Sequence, residues 1–319
     1  MVKHLGRFFV LGFDGVDSAP SLKRISKRFG LGGAIFFDRN IISRNQVKKL
    51  THYLQTLDKQ QPLILCVDQE GGYFQRFKPP EFTQYPRACD VTREIAQDVG
   101  FNLGSELREL GLNVCLAPVL DVHTNPSNPI INVRSFGSDA HQVAEIGGRF
   151  IQGLHQAKVW ACGKHFPGHG DTHLDSHKTL PEVLHAQKRL LEIEVFPFRQ
   201  AIQQSGIRFL MSAHVRYPAW DAQYPATFSK AIMTDFLRET LGYQHLVITD
   251  DLGMAGSLQM GDLKEVCVAA FAAGCDLLLV CDDHPYHEEL VAHFSDAVAA
   301  SQALRARAEK SLQRIRKSV

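Results

Sequence analysis

Mostly apolar runs of four to seven residues recur along the chain, each bounded by glycine or polar positions: 8–13, 34–37, 63–67, 114–120, 159–162, 208–211, 246–249 and 277–280. Segments of helical period lie between them, at 21–28, 45–59, 92–110, 140–156, 186–204, 230–240, 262–273 and 285–317. In the third of these, Val99, Leu103, Leu107 and Leu110 recur at three- and four-residue steps, which marks one face of a helix. The strand-like runs are apolar nearly throughout instead of alternating, the pattern of a parallel sheet covered by helices. Eight such units over 319 residues predict an α/β fold, a (β/α)8 TIM barrel, in preference to an open doubly wound sheet. No Pro- or Ser-rich linker divides the chain, so residues 1–319 are expected to form a single barrel domain.

Charge and histidine gather just beyond the apolar runs. The residues at these ends are Asp14, Asp38-Arg39-Asn40, Asp68-Gln69-Glu70, Asp121-Val122-His123, Lys164-His165, Ser212-Ala213-His214, Asp250-Asp251 and Asp282-Asp283. In a barrel these positions converge on one rim, where active sites are built; in an open sheet they would be spread along a line.

Composition narrows the class of function. A formal net charge of +1 offers no electrostatic reason to expect nucleic acid or an anionic membrane as partner. The N-terminal apolar patch is interrupted at Asp14, too short for a signal h-region or a membrane span. The seven cysteines are scattered singly with no CxxC pair, and Cys66, Cys115 and Cys162 lie inside apolar runs, so buried free thiols in a reducing cytoplasm are expected.

The densest chemistry lies in 164–177, where His165, His169, His173 and His177 accompany Lys164, Asp171 and Asp175. Gly168, Gly170 and Pro167 break any regular period, so these groups are expected on a loop, with Lys164 and His165 at the end of the preceding strand. Asp175 stands two residues before His177, close enough to bond its imidazole and orient it as a general acid and base. The same density of histidines and carboxylates also fits a hydrolytic zinc site. Elsewhere, Asp68 precedes a glycine pair that permits a sharp turn, and is read as an acceptor for ligand hydroxyls with Arg76 as a following donor. Arg134, in a stiff segment after Pro126 and Pro129, fits either a ligand contact or a structural ion pair. Asp250 and Asp251 point to opposite sides of a strand end, so one is available for covalent chemistry and the other for capping the turn.

Assembled, these residues resemble the bacterial β-N-acetylglucosaminidases of glycoside hydrolase family 3, single-domain enzymes of peptidoglycan recycling. The motifs that carry the resemblance are Gly33-Ala34-Ile35-Phe36-Phe37-Asp38-Arg39-Asn40, Asp68-Gln69-Glu70-Gly71-Gly72, Arg134-Ser135-Phe136-Gly137 and Lys164-His165-Phe166-Pro167-Gly168-His169-Gly170. They continue with Asp175-Ser176-His177, Met211-Ser212-Ala213-His214, Pro225-Ala226-Thr227 and Thr249-Asp250-Asp251, all in family order.

The resemblance implies a (β/α)8 barrel that removes terminal non-reducing N-acetylglucosamine with retention of configuration. It assigns Asp250 as nucleophile, His177 as general acid/base with Asp175 as its partner, and Asp68, Arg76, Arg134, Lys164 and His165 to sugar binding, with no metal and no cofactor. The expected partner is a small saccharide or muropeptide, namely N-acetylglucosaminyl-1,6-anhydro-muramoyl fragments with or without peptide, handled by a cytoplasmic monomer without nucleic acid or membrane. Phosphorolysis by the same residues and a metal-dependent barrel hydrolase are the alternatives. One position departs from the family's usual EGGRVQR: Tyr73 stands where the first arginine is common, and is expected to alter the packing beneath Asp68.

Overall fold

The computed structural model describes residues 4–176, 179–283 and 285–318. Each apolar run coincides with or overlaps one strand: β1 (Phe9–Leu11), β2 (Gly33–Phe36), β3 (Ile64–Val67), β4 (Val114–Cys115), β5 (Trp160–Phe166), β6 (Phe209–Ser212), β7 (Leu246–Thr249) and β8 (Leu278–Val280). Sequential strands pair in parallel, with Val10 opposite Gly33, Gly33 opposite Ile64, Cys66 opposite Val114, Val114 opposite Trp160, Cys162 opposite Phe209 and Phe209 opposite Leu246. Phe9 opposite Leu278 joins the first strand to the last. A bridge between Ile248 and Leu277, reinforced by Thr249 N donating to Leu277 O at 3.0 Å, closes β7 onto β8. The expected (β/α)8 barrel is therefore the fold.

The strands are followed in turn by helices α1 (Pro20–Phe29), α2 (Arg44–Gln55), α3 (Ala96–Glu109), α4 (Ala140–Gln156), α5 (Phe196–Gln204), α6 (Ala231–Thr240), α7 (Leu263–Ala273) and α8 (His287–Ala300), with α9 (Gln302–Ser318) after them. Side-chain caps start several of these. Ser43 accepts from Gln46 N, Asp139 from Gln142 N, and Asp262 from Lys264 N and Glu265 N. Two helical segments read from periodicity are divided. The segment 186–204 contains a short helix, Gln187–Glu192, before α5, whose first turn holds Pro197, a residue with no amide to place in a continuing helix. The segment 285–317 turns at Ser301, whose hydroxyl accepts from Leu304 N and begins α9.

The two ends of the barrel differ in kind. At the N-terminal end, Phe8 and Phe9 meet Phe271 of α7 and Phe294 of α8, with the Phe9 and Phe294 rings edge to face at 5.2 Å. Burying each such ring contributes about 1.5–3 kcal/mol. Asp276, fully buried before β8, accepts from Val247 N at 3.0 Å, Ser311 Oγ at 2.6 Å and Arg314 Nη1 at 2.9 Å, which ties β7 and β8 to α9. Cys66, Cys115, Cys162, Cys267 and Cys275 are buried free thiols, while Cys89 is exposed and Cys281 half-buried. Among the described residues no helix is long and apolar enough to cross a membrane.

Candidate active site

The C-terminal ends of the strands enclose a cavity of about 330 Å³, within the size range of small-molecule sites. Asp68, Arg76, Arg134, Lys164, His165, Asp175 and Asp250 all line it. His177 lies outside the described residues. The ends of β1 and β2 close the rim instead of lining the cavity: Arg39 donates to Phe13 O and Cys281 O and pairs with Asp14 at 3.0 Å.

Asp68 directly follows β3, and the chain then turns back on itself as a hairpin of Gln69–Gly71 against Phe74–Gln75. Gly71 and Gly72 have φ of +96° and +57°, and a Cβ on Gly71 would lie 2.1 Å from Pro86 O, so this turn requires glycine. Tyr73 therefore stands at the hairpin turn, 82% exposed at the cavity mouth. The glycine turn rotates this position outward, so Tyr73 acts at the mouth of the cavity and not from beneath Asp68.

As expected, Lys164 and His165 lie at the end of a strand, and the polar groups after them, as far as Asp175, lie on a loop. Strand β5 runs on through Lys164, His165 and Phe166, because Leu120 N donates to Lys164 O at 2.7 Å and Ala213 N to Phe166 O at 2.8 Å. Lys164 consequently projects from a strand, almost fully buried. Its Nζ lies 2.7 Å from Asp68 Oδ1 and 2.7 Å from Glu70 Oε1. Arg134 grips the same Glu70 in two-pronged fashion, Nε to Oε2 and Nη2 to Oε1, both at 2.8 Å, and stacks on Phe74 at 4.9 Å. Burial opposes ionisation of Glu70, but the charges of Arg134 and Lys164 outweigh it and hold its carboxyl well below the usual range. Burial likewise opposes the charge on Lys164, and Asp68 and Glu70 overcome it, so the ammonium is retained.

Glu70 escapes the sequence reading, although its spacing of two residues from Asp68 on an extended segment places both carboxylates on one side. It is the anion that makes two buried cations tolerable. Glu70→Gln is therefore expected to cost about 3–5 kcal/mol, measurable as a lowered denaturant midpoint. The depressed carboxyl also has a pH signature. Its stabilising contribution is fully present above the ordinary glutamate value and is lost as pH falls through that value toward the folded one, so Glu70→Gln should flatten the acid limb of the stability curve.

Asp121, likewise missed, is fully buried behind His165. Its Oδ2 is 2.7 Å from His165 Nδ1, and its Oδ1 accepts from His165 N at 3.1 Å and His169 N at 2.6 Å. The carboxylate makes Nδ1 the protonated nitrogen of His165 and fixes the orientation of this cavity-lining ring. Burial opposes the charge of Asp121, and the neighbouring His165 and His169 overcome it, lowering its pKa. Arg76 lies with its guanidinium 5.1 Å from the Phe37 ring, which orients it at the cavity edge.

At the end of β7 the two aspartates part as strand geometry requires. Asp250 lines the cavity and its Oδ1 accepts from Asp251 N at 2.8 Å. Asp251 turns away, its Oδ1 accepting from Gly253 N at 3.1 Å and Cys281 N at 3.0 Å, with burial raising its pKa. Behind them His214, held neutral by burial, places Nε2 3.0 Å from Asp251 O and Nδ1 2.9 Å from Thr227 Oγ1.

Among the described residues, the histidines offered as zinc ligands are otherwise engaged: His165 with Asp121, His169 with Thr172 and Ser176, and His173 with Asn125. Among the described residues no three His, Cys, Asp or Glu side chains are grouped to hold a metal ion.

This cavity, with one aspartate at a strand end facing a buried cluster of carboxylates and cations, sits in a chain whose relatives are glycosidases. Residues 13–318 match the glycosyl hydrolase family 3 N-terminal domain. Beta-hexosaminidase A of Pseudoalteromonas piscicida is 35% identical over 93% of this chain, which spans 54% of that protein. The structure of a family 3 β-N-acetylglucosaminidase from Paenibacillus sp. str. FPU-7 superposes with a TM-score of 0.92 at 38% identity, covering 99% of this chain and 62% of that one. NagZ from Neisseria gonorrhoeae, solved in complex with N-trifluoroacetyl-D-glucosamine, superposes with a TM-score of 0.81 at 32% identity, covering 97% of this chain and 91% of that one. The barrel, the arrangement at its rim and these likenesses place the chain in glycosyl hydrolase family 3.

Proposed function

We propose that the protein is a retaining exo-β-N-acetylglucosaminidase that releases terminal non-reducing N-acetylglucosamine through a covalent glycosyl-Asp250 intermediate. The observation that carries this reading is Asp250, held on a rigid strand end in a cavity whose other polar groups suit sugar hydroxyls. Asp68 accepts from ligand hydroxyls while Lys164 fixes its position. Arg76 and His165 supply further polar contacts at the cavity wall, and Arg134 keeps Glu70 and the hairpin in place.

In the first step Asp250 attacks the anomeric carbon, the glycosidic bond breaks, and His177 gives its proton to the departing oxygen. In the second, His177 takes a proton from water, which displaces Asp250 from the sugar. Free imidazole changes charge near neutral pH, pKa ~6.5, which is why a histidine suits the role of acid and then base. The family and the N-trifluoroacetyl-D-glucosamine bound by the Neisseria relative support an N-acetylglucosaminide as the substrate class. Cytoplasmic peptidoglycan fragments bearing a 1,6-anhydro-muramoyl aglycone are the proposed natural substrates.

Turnover of an aryl N-acetylglucosaminide, with product configuration read by proton NMR, tests the activity and its retention. First-formed α-product, or faster turnover in phosphate than in a neutral buffer with sugar 1-phosphate released, would replace this reading. Asp68→Ala and Arg134→Ala should each lower kcat/KM by a factor corresponding to about 1–3 kcal/mol on every substrate, since Asp68 faces the common sugar and Arg134 lines the same cavity while holding the hairpin that follows Asp68. Unchanged specificity constants in both variants would remove them from the site.

A further inference from the structure

Ser176 lies between Asp175 and His177, the two members of the proposed dyad, and its hydroxyl oxygen is 3.0 Å from His169 Nε2. The carbonyl of the same residue accepts from Gly256 N at 3.2 Å. His169 belongs to the fixed floor of the site. Its backbone amide donates to Asp121 Oδ1 at 2.6 Å, Asn128 Nδ2 donates to its carbonyl at 2.9 Å, and its Nδ1 is 2.8 Å from Thr172 Oγ1.

The proton positions follow from the partners. Thr172 Oγ1 donates to His169 O at 3.1 Å and accepts from Asn128 Nδ2 at 3.1 Å, so it is also the acceptor for His169 Nδ1–H. Nε2 is then the bare nitrogen, and it accepts the Ser176 hydroxyl. Burial, and after it the charge of His165, pushes the pKa of His169 down to about 4, so the ring keeps this role at neutral pH. Asp121 holds both His165 and His169, which links the sugar-facing wall to the loop segment through one buried carboxylate. Nearby, Thr124 Oγ1 donates to Asp171 Oδ1 at 2.7 Å and His185 Nε2 meets Asp171 Oδ2, so the base of the segment is secured separately from its tip.

We propose that His169 and Ser176 are positioning residues: together with the Gly256 amide on the Ser176 carbonyl, the hydrogen bond from the floor of the site fixes the residue that stands between Asp175 and His177. This rests on the reading of Asp175 and His177 as the acid/base pair. Both residues also line the cavity; the role proposed for their hydrogen bond is to keep the proton donor in place.

The test compares Ser176→Ala, His169→Ala and His169→Gln in the intact protein, with Asp250→Asn as a separate control. Loss of one neutral hydrogen bond predicts a kcat/KM on a saccharide aglycone lowered about five- to tenfold in Ser176→Ala and His169→Ala, with kcat/KM on a nitrophenyl glycoside retained. Amide hydrogen exchange of 171–180 should quicken in both variants while the barrel strands stay protected. His169→Gln, whose side-chain carbonyl substitutes for Nε2 as acceptor, should recover both readouts. Should His169→Ala fail to fold, Ser176→Ala alone decides, since it removes only a hydroxyl. Wild-type exchange in Ser176→Ala would show that the contact does not hold the segment, and faster exchange with both substrates unaffected or equally impaired would show that it does not position the acid. Undiminished turnover by Asp250→Asn would instead overturn the proposed function, leaving the exchange result to report on the contact alone.

Discussion

Asp250→Ala and Asp250→Asn are expected to lose hydrolysis of even an activated aryl N-acetylglucosaminide, by on the order of 10⁴-fold or more, with folding intact. A nitrophenolate leaves without help, so a good aglycone rescues a missing acid; nothing about the aglycone replaces the carboxylate that bonds to the anomeric carbon. The geometry favours Asp250 of the paired aspartates. Asp250 lines the cavity, while Asp251 is spent on Gly253 N and Cys281 N and is a turn-stabilising residue. Asp250 Oδ1 accepts from Asp251 N, a bond that the amide oxygen of asparagine accepts equally, so Asp250→Asn should preserve the thermal midpoint that Asp251→Ala lowers. A dead Asp251→Ala beside an active Asp250→Ala, measured on the same glycoside, would reverse the assignment.

His177→Ala has the second large effect, and its signature is a dependence on leaving group. General acid catalysis contributes about 10²–10⁴-fold, so saccharide aglycones should slow by that order while nitrophenyl glycosides still transfer their sugar to Asp250 readily. Removing the same residue as base in the second step leaves the glycosyl-enzyme to accumulate, so stopped-flow should show a burst of nitrophenolate followed by slow turnover. Azide attacks without giving up a proton and should accelerate that slow phase, yielding glycosyl azide of retained configuration. Asp175→Ala should show the same pattern more mildly, since an unpartnered imidazole still transfers protons from a worse orientation. Equal impairment on every leaving group, with neither burst nor azide rescue, would remove His177 from the acid/base role.

The proposed nucleophile and the proposed acid are unequally legible in the sequence. Strand alternation alone separates Asp250 from Asp251, because neighbours on a strand face opposite ways, and the closed barrel shows which of the two faces inward. The dyad is legible only through the order of Asp175-Ser176-His177 and the family resemblance.

Period and strand-end chemistry determined the (β/α)8 architecture and the rim as the place for the site, while the seven predicted residues that line the cavity, Asp68, Arg76, Arg134, Lys164, His165, Asp175 and Asp250, are singled out by motif spacing together with the family resemblance. These are local signals: a buried strand must be apolar, and a polar residue at its end must meet solvent or a ligand. What the tertiary structure alone decided is how those polar groups pair. Glu70 and Asp121 reach their partners across 64 and 44 residues of chain, to Arg134 and to His165, and no local pattern records such distances. Tyr73 turns outward because of a glycine turn pressed against Pro86, and β5 reaches as far as Phe166 because chain segments distant in sequence complete its ladder. Hydrophobic periodicity encodes which face of an element is buried. It carries no record of which buried charge will be neutralised by which other, since that energy exists only once the strands have closed around both.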